Sequence, residues 1–390
     1  MLSCKEGNFG AYIREQPGYN LSSPWQIPTP FDLNLLNDRV SFEQHIEKGE
    51  VNSIRDSFDA KELFELHHPR EQDNLQLQKE FIDDIEARRE RVGAWFYYPW
   101  SKNLIHFPNK ADYQSLRTLR NQNMITSEEQ ASLLSTKPLV AGMSVGSNVV
   151  EQLVYSGIGG SYILADFDTL SMSNLNRIHA GMSQVGEKKI DIIAKKISEL
   201  DPYVNQLHMR EGISRETLEA LSEIPSIIFD EVDDFCAKAL LREYARKHHI
   251  PIIMATDVGE TSIIDIERHD IEEVQPFNGR LNSETIDMML AGDLTDSDRK
   301  KITTKVIGLG NASIRLLSSV MDETVVGMPQ LGTTASIGGG LATIVSRDIL
   351  LGRKVTSGRK VLKSRRQLGL TSQTSLPDSL RTIQEFIGRR

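Results

Sequence analysis

The sequence predicts an α/β fold: a mostly parallel sheet with helices on both faces, preceded by an N-terminal α+β extension. Three observations predict it. Short strand-like runs at residues 139–141, 161–166, 205–209, 226–230 and 250–254, mostly apolar, alternate with longer stretches of helical periodicity, and such alternation builds a parallel sheet covered on both sides. A glycine turn, Gly142-Met-Ser-Val-Gly146, joins the first run to a helix over residues 147–156 that carries Val149, Val150, Leu153 and Val154. Residues 1–112 lack this alternation and read as a separate extension.

Within the extension, Pro17, Pro24, Pro28 and Pro30 argue against a long helix, so residues 1–40 read as irregular. Residues 54–92 are charged and helical in pattern, and residues 93–100 with 103–107 form an aromatic β-hairpin. Its aromatic residues read as core, with Trp95 and Trp100 as the alternative floor of a substrate groove, and the extension reads as a substrate-recognition or regulatory module. The alternating domain spans 113–352. After the first helix it continues through a helix over 188–200, the strand at 205–209, a helix over 234–248 and the strand at 250–254. A solitary antiparallel strand is expected over 260–268, then an acidic, loop-rich stretch over 270–330 with one helix near 283–290. Residues 333–351 read as an apolar helix in which Gly338, Gly339 and Gly340 permit close backbone contact. Arg347 and Asp348 argue for a buried packing or dimer helix over a membrane span. Residues 353–390 form a basic tail of balance +8 against −17 for the rest of the chain.

Strand, glycine turn and helix are what a nucleotide phosphate needs. Glycine lets the backbone come close, and the helix start offers open N–H groups and a positive dipole end. Asp166 ends the next strand, 20 residues past Gly146, at the spacing where a Rossmann-like fold places its ribose-binding carboxylate. Asn174, Asn176 and Arg177 follow, and Lys189 opens a helix. A guanidinium and an ammonium converging on a glycine turn suit a triphosphate. Glu231, Asp233 and Asp234 close the strand at 226–230, and carboxylates beside a polyphosphate imply magnesium.

The runs Gly142 to Gly160, Ala165-Asp-Phe-Asp-Thr-Leu-Ser-Met-Ser-Asn-Leu-Asn-Arg177, Gly186-Glu-Lys-Lys189, Leu200-Asp-Pro202 and Asp230-Glu-Val-Asp-Asp234 resemble the ThiF/MoeB-type adenylyltransferases, the superfamily containing ubiquitin-activating enzymes. The resemblance covers roughly residues 115–260, with a weaker echo near 330–352. It implies ATP and magnesium as cofactors and adenylation of a carboxylate on a carrier protein or peptide. By resemblance the nucleotide contacts are Gly142, Ser144, Gly146, Asp166, Asp168, Asn174 and Asn176, with Asp166 on the ribose. Asn176, Arg177 and Lys189 hold phosphates, and Asp233 the metal. The family's N-terminal helix supplies an arginine to the ATP of a dimer partner; Arg120 is the first choice for that role, Arg117 the second, and a homodimer is implied. Ser144 stands where a glycine is usual, and Asp234 where an asparagine is usual.

Composition bounds the rest. The chain of 390 residues is 39% apolar, enough for two or three domains. It contains two cysteines, Cys4 and Cys236, and no C-x-x-C pair, so a four-cysteine zinc site cannot form within one chain. No cysteine follows Cys236, which reads as an inert thiol, so transfer through sulfur is not expected. Two unpaired thiols and no signal peptide or membrane span lead to the expectation of a cytoplasmic protein. The basic tail lacks interleaved aromatics, so nucleic acid is not the expected partner. His67-His68 and His248-His249 lack a third ligand at metal spacing. Two rival classes remain: a nucleotide-binding scaffold without activity, and an NAD- or FAD-dependent oxidoreductase.

Overall fold

The computed structural model describes residues 24–308 and 329–370. Cys4, Pro17, the middle of the acidic stretch and the end of the basic segment lie outside the described residues.

In the extension, β1 (Thr29–Phe31), β2 (Ser53–Asp56), β3 (Ala94–Tyr98) and β4 (Asn103–Phe107) form a sheet of order β1-β3-β4-β2. The stretch read as irregular thus holds a strand and a helix, α1 (Leu36–Glu47). Both are compatible with the prolines: Pro30 sits on an edge strand paired on one side only, and α1 starts beyond the last proline. Asp38 in the first turn of α1 accepts the Asp32 N–H at 2.9 Å and fixes the corner between them. Helices α2 (Ala60–His67) and α3 (Leu75–Ala87) follow β2, begun by the side-chain caps Asp59 and Asn74. The hairpin β3–β4 is aromatic because its faces are buried: Trp95, Phe96 and Tyr98 are each less than 8% exposed.

The main sheet has seven strands in the order β11-β10-β9-β8-β5-β6-β7. Five are parallel: β5 (Pro138–Ala141), β6 (Ser161–Ala165), β7 (Asn205–Met209), β8 (Ile227–Asp230) and β9 (Pro251–Val258). Between them run α4 (Lys110–Arg117) and α5 (Ser127–Leu134) before β5, then α6 (Val145–Tyr155), α7 (Lys189–Leu200), the short α8 (Arg215–Glu219) and α9 (Phe235–His248). The strand expected to be solitary, β10 (Thr261–Arg268), is paired on both sides. It turns back from β9 at Gly259 and takes β11 (Gly358–Lys363), from the basic segment, as an antiparallel neighbour. Arg359 of β11 forms a bidentate pair with Asp265 of β10, Nε to Oδ1 at 2.9 Å and Nη2 to Oδ2 at 2.5 Å.

The acidic stretch holds α10 (Ser283–Ala291) and a second helix not anticipated, α11 (Asp296–Ile307), which starts at a Thr295/Asp298 capping box. Helix α12 (Gly332–Leu350) packs on α6 and on β9. Its approach to α6 depends on Gly339, where a side-chain carbon would lie 2.8 Å from the Asn148 carbonyl carbon. Among the described residues no helix is long and apolar enough to cross a membrane. A last short helix, α13 (Ser364–Gln367), follows β11.

The extension docks on α7 through polar tips of its aromatics. Tyr98 Oη donates to the Ser198 carbonyl at 3.2 Å, Trp100 Nε1 to Glu199 at 2.8 Å, and Trp25 Nε1 to Ser198 Oγ at 3.0 Å. These bonds hold the helix that carries Lys189.

Candidate functional site

Strand order reverses at β5: the chain leaves it for β6 on one side, and β8 lies on the other. In an open α/β sheet the crevice outside the carboxyl ends of strands at such a point is where ligands bind. Here that crevice is a cleft of about 190 Å³. Gly142, Ser144, Asp166, Asp168, Lys189 and Asp233 line it.

Gly142 makes the sharp turn after β5. Its φ is +89°, and a side-chain carbon there would lie 2.3 Å from the Glu231 carbonyl oxygen, so only glycine fits. Its N–H donates to the Ala165 carbonyl at 2.7 Å. Asp166 then clamps the turn from below: Oδ2 accepts the Met143 N–H at 2.5 Å, and Oδ1 the Asp168 N–H at 2.7 Å. Burial raises the Asp166 carboxyl above its ordinary range, against the opposing pull of those N–H groups and of Lys189. Each of its oxygens keeps a second lone pair for a hydroxyl. No side chain caps the first turn of α6, leaving its N–H groups for an anion.

Arg177 reaches the same turn from the loop after β6. Its Nε donates to Ser144 Oγ at 2.9 Å, and its Nη1 to Asn176 Oδ1 at 3.0 Å and the Ser173 carbonyl at 3.3 Å. Its own carbonyl accepts from Asn148 Nδ2 at 3.0 Å, which ties the loop to α6. Among the described residues Arg177 makes no ion pair; burial lowers its pKa, opposed by Asp233 and Asp257. Ser144, a departure from the expected glycine, therefore holds the guanidinium over the turn. Lys189 is buried and pairs with Asp168 at 2.8 Å.

The remaining expected residues sort by position. Gly146 lies in the first turn of α6. Asn176 Nδ2 donates to the Gln330 carbonyl at 2.8 Å and so joins the loop to the segment before α12. Asn174 turns inward to cap its own short helix, accepting the Ser171 N–H at 3.1 Å, and does not line the cleft. Asp234 accepts the Ala237 N–H at 2.8 Å as the N-cap of α9, so its charge meets a helix start. Asp233 stands exposed between them. Arg120 is outside the cleft, exposed on the turn Leu119–Asn121, whereas Arg117 is held by Asp201 at 3.2 Å and by the Val154 carbonyl. The histidine pairs are engaged elsewhere: His67 meets Asp112 at 2.8 Å, and His249 ends α9 in a left-handed conformation. Cys236 Sγ lies 3.7 Å from the Leu290 carbonyl; burial, with Asp234, pushes the thiol pKa up.

Sequence reasoning missed a second chamber of about 240 Å³ next to the cleft, sharing Glu231, Val232 and Asp233 with it. Glu231 is buried, accepts the Ala255 N–H at 2.8 Å, and is pushed well up by burial. Asp257, at the end of β9, also lines this chamber. An acidic residue ending an apolar strand was its only sequence signal.

Groups of three or more acidic, histidine or cysteine side chains placed to hold a metal are absent among the described residues. One carboxylate is enough where phosphates and water complete the shell of magnesium, so Asp233 beside the cleft fits that ion.

The chain matches several curated relatives. It is 31% identical over 266 residues to an uncharacterized protein of Mycobacterium tuberculosis, covering 67% of this chain and 37% of that one. It is 29% identical over 158 residues to a tRNA threonylcarbamoyladenosine dehydratase of Bacillus subtilis, covering 40% of this chain and 61% of the relative. A molybdopterin-synthase adenylyltransferase of Salmonella typhimurium matches at 25% over 129 residues, covering 32% and 51%. The chain thus spans less than two thirds of the length of each. The ThiF family model matches residues 117–346, which take in the cleft, the Arg177 loop, the second chamber and most of α12. The chain belongs to the ThiF family.

Proposed function

We propose that this protein is an ATP- and magnesium-dependent adenylyltransferase that activates a carboxylate on a protein or peptide as an acyl-adenylate, without a catalytic cysteine. The observation that carries the reading is Arg177: a guanidinium with no ion pair among the described residues, aimed by Ser144 over a glycine turn with an uncapped helix start. An arginine that no carboxylate contacts there, beside open N–H groups, suits a phosphate anion. The adenylyltransferase name of the Salmonella relative supports the same chemistry.

Asp166 accepts ribose hydroxyls, while Arg177 and the first turn of α6 hold phosphate oxygens. Lys189 adds a point charge once a triphosphate competes with Asp168 for it. Bound magnesium, held by Asp233, would neutralise charge on the phosphates. The substrate carboxylate, already ionised at neutral pH, attacks the α-phosphorus and pyrophosphate leaves, so no general base is required. Positioning and charge stabilisation by these fixed groups supply the acceleration. Arg120, exposed and outside its own cleft, serves the site of a second copy in a homodimer.

Calorimetric titration of ATP·Mg, and separately NAD, into the wild type and the Arg177→Ala and Asp233→Ala variants tests this. The expected result is selective ATP·Mg binding, weakened about a hundredfold or more in Arg177→Ala. NAD binding instead favours an oxidoreductase, and ATP·Mg binding with no pyrophosphate release on addition of carboxylate substrates favours a scaffold. A light-scattering mass equal to one chain at micromolar concentration would remove the dimer and the role of Arg120.

A further inference from the structure

Asp257 is 6% exposed, and neither of its carboxylate oxygens has a hydrogen-bond partner among the described residues. Carboxylates this deeply buried are normally paired, because an unmet charge or lone pair is costly away from water. The carboxylate lies against Gly338 of α12, where a side-chain carbon would come within 3.2 Å of Oδ1. Asp257 lines the second chamber together with Asp233, Lys238 and Met254, with both carboxylate oxygens covered and unpartnered among the described residues.

The surroundings narrow what can fill it. Lys238 is taken by Asp230 at 3.0 Å, so it does not answer Asp257. Arg177 acts on Asp257 through space but directs its hydrogen bonds to Ser144, Ser173 and Asn176. A carboxylate ligand would meet Asp233 and Asp257 on the walls and be repelled. Magnesium is held at Asp233 only where nucleotide phosphates complete its shell, and without them the chamber offers no group of three acidic, histidine or cysteine ligands among the described residues. A nitrogen carrying several N–H donors satisfies both bare oxygens at once.

We infer that this chamber is a binding site for an amine, held through its N–H groups by Asp257, and that one substrate of the reaction in the adjoining cleft presents such an amine. The substrate assignment rests on the adenylation reading; the amine site itself does not.

The test uses the full chain with ¹³C-methyl-labelled methionine. The Met254 methyl, on the chamber wall, is assigned by Met254→Leu. Propylamine, propionate, propanol and magnesium chloride are titrated separately, without nucleotide. Propylamine is expected to shift the Met254 resonance saturably in the millimolar range while propionate does not. In Asp257→Asn the apparent affinity for propylamine falls at least about tenfold. Equal response to propionate, saturable response to magnesium alone, no response to any probe, or an unchanged propylamine affinity in Asp257→Asn overturns the inference. Selectivity among probes in the wild type stands as a test even if the variant folds poorly. ATP·Mg is titrated in a separate experiment, so a chain that binds propylamine but not ATP·Mg loses the adenylation reading and keeps the amine site.

Discussion

The His106 nest of the extension and the Asp257 chamber of the main sheet each bury an ionisable side chain, and treat it in opposite ways. His106 is fully buried and fully met: Nδ1 lies 3.0 Å from Asp56, Nε2 lies 2.6 Å from the Val92 carbonyl, and the ring stacks between Trp95 and Phe58. Asp56 is in turn held below its ordinary pKa despite burial, which alone would raise it, by bonds from Arg89, the Phe58 N–H and His106. Asp257 has none of this. Burial by itself therefore does not separate structural from functional groups in this chain; the state of the hydrogen-bond partners does.

The largest effect is expected from breaking a group that is completely met. Arg242 of α9 is 1% exposed, donates to Asp230 at 2.5 Å and Glu267 at 2.8 Å, and lies 3.6 Å over the Phe277 ring. Arg242→Met leaves the buried Glu267 without its guanidinium and Asp230 with Lys238 alone, and is expected to cost about 3–5 kcal/mol in denaturant unfolding. A loss below about 1 kcal/mol would mean that the pairing is not what makes this buried charge tolerable.

His106→Ala comes next, at about 3 kcal/mol, from the lost ring packing and an unmet Val92 carbonyl. Where the variant stays folded, ATP·Mg affinity is expected to hold, since no residue of the nest lines the cleft. Parallel loss of nucleotide binding would show that the extension shapes the site through α7.

Asp257→Asn is expected to change stability in the opposite direction. Burial raises the Asp257 carboxyl from 3.8 to about 7, with Arg177 opposing. The folded state then holds its proton more tightly than the unfolded chain. Wild-type stability accordingly falls as pH rises from about 4 to about 7, and levels off above. Glu231 is also raised, mainly by burial and in part by the Asp257 charge, so its decline is smaller in the variant and the difference between the two proteins reports Asp257 together with its effect on Glu231. The variant is expected to gain on the order of 1–2 kcal/mol at pH 7.5 and nothing at pH 4, read as urea midpoints at both pH values. A variant less stable at pH 7.5 would show that Asp257 is already satisfied.

The same contrast explains what the sequence made legible. Gly142, Asp166 and Lys189 could be placed because their roles follow from local geometry: a turn, a strand end, a helix start. Helices α6, α7 and α9 could be placed because their apolar faces repeat at helical spacing. β11 escaped notice because a basic segment reads as solvated, and its match to β10 depends on Asp265, nearly a hundred residues away in sequence. Helix α11 escaped because its mean composition is polar and its capping box is the only strong local signal. Asp257 was visible as an acid after an apolar strand, but the absence of partners is a property of the assembled sheet and of Gly338 on a distant helix.

The smallest effect concerns Cys236, where the comparison predicts nothing at all for function. The thiol is half-buried on the first turn of α9, three residues past Asp233, and its one polar contact is the 3.7 Å approach to the Leu290 carbonyl. A reactive cysteine is an exposed thiolate stabilised by nearby positive charge, whereas here burial and Asp234 both favour the protonated form. Cys236→Ser removes a weak contact and a small apolar surface, so stability is expected to change by less than about 1 kcal/mol. Pyrophosphate release with any substrate that supports it is expected to stay within about twofold of wild type, a change of under 0.5 kcal/mol in the barrier. Iodoacetamide at pH 7 is expected to label the native chain at Cys236 more slowly than a free cysteine. Rapid labelling, or an inactive serine variant that remains folded, would return sulfur to the mechanism and take away the need for a different acceptor.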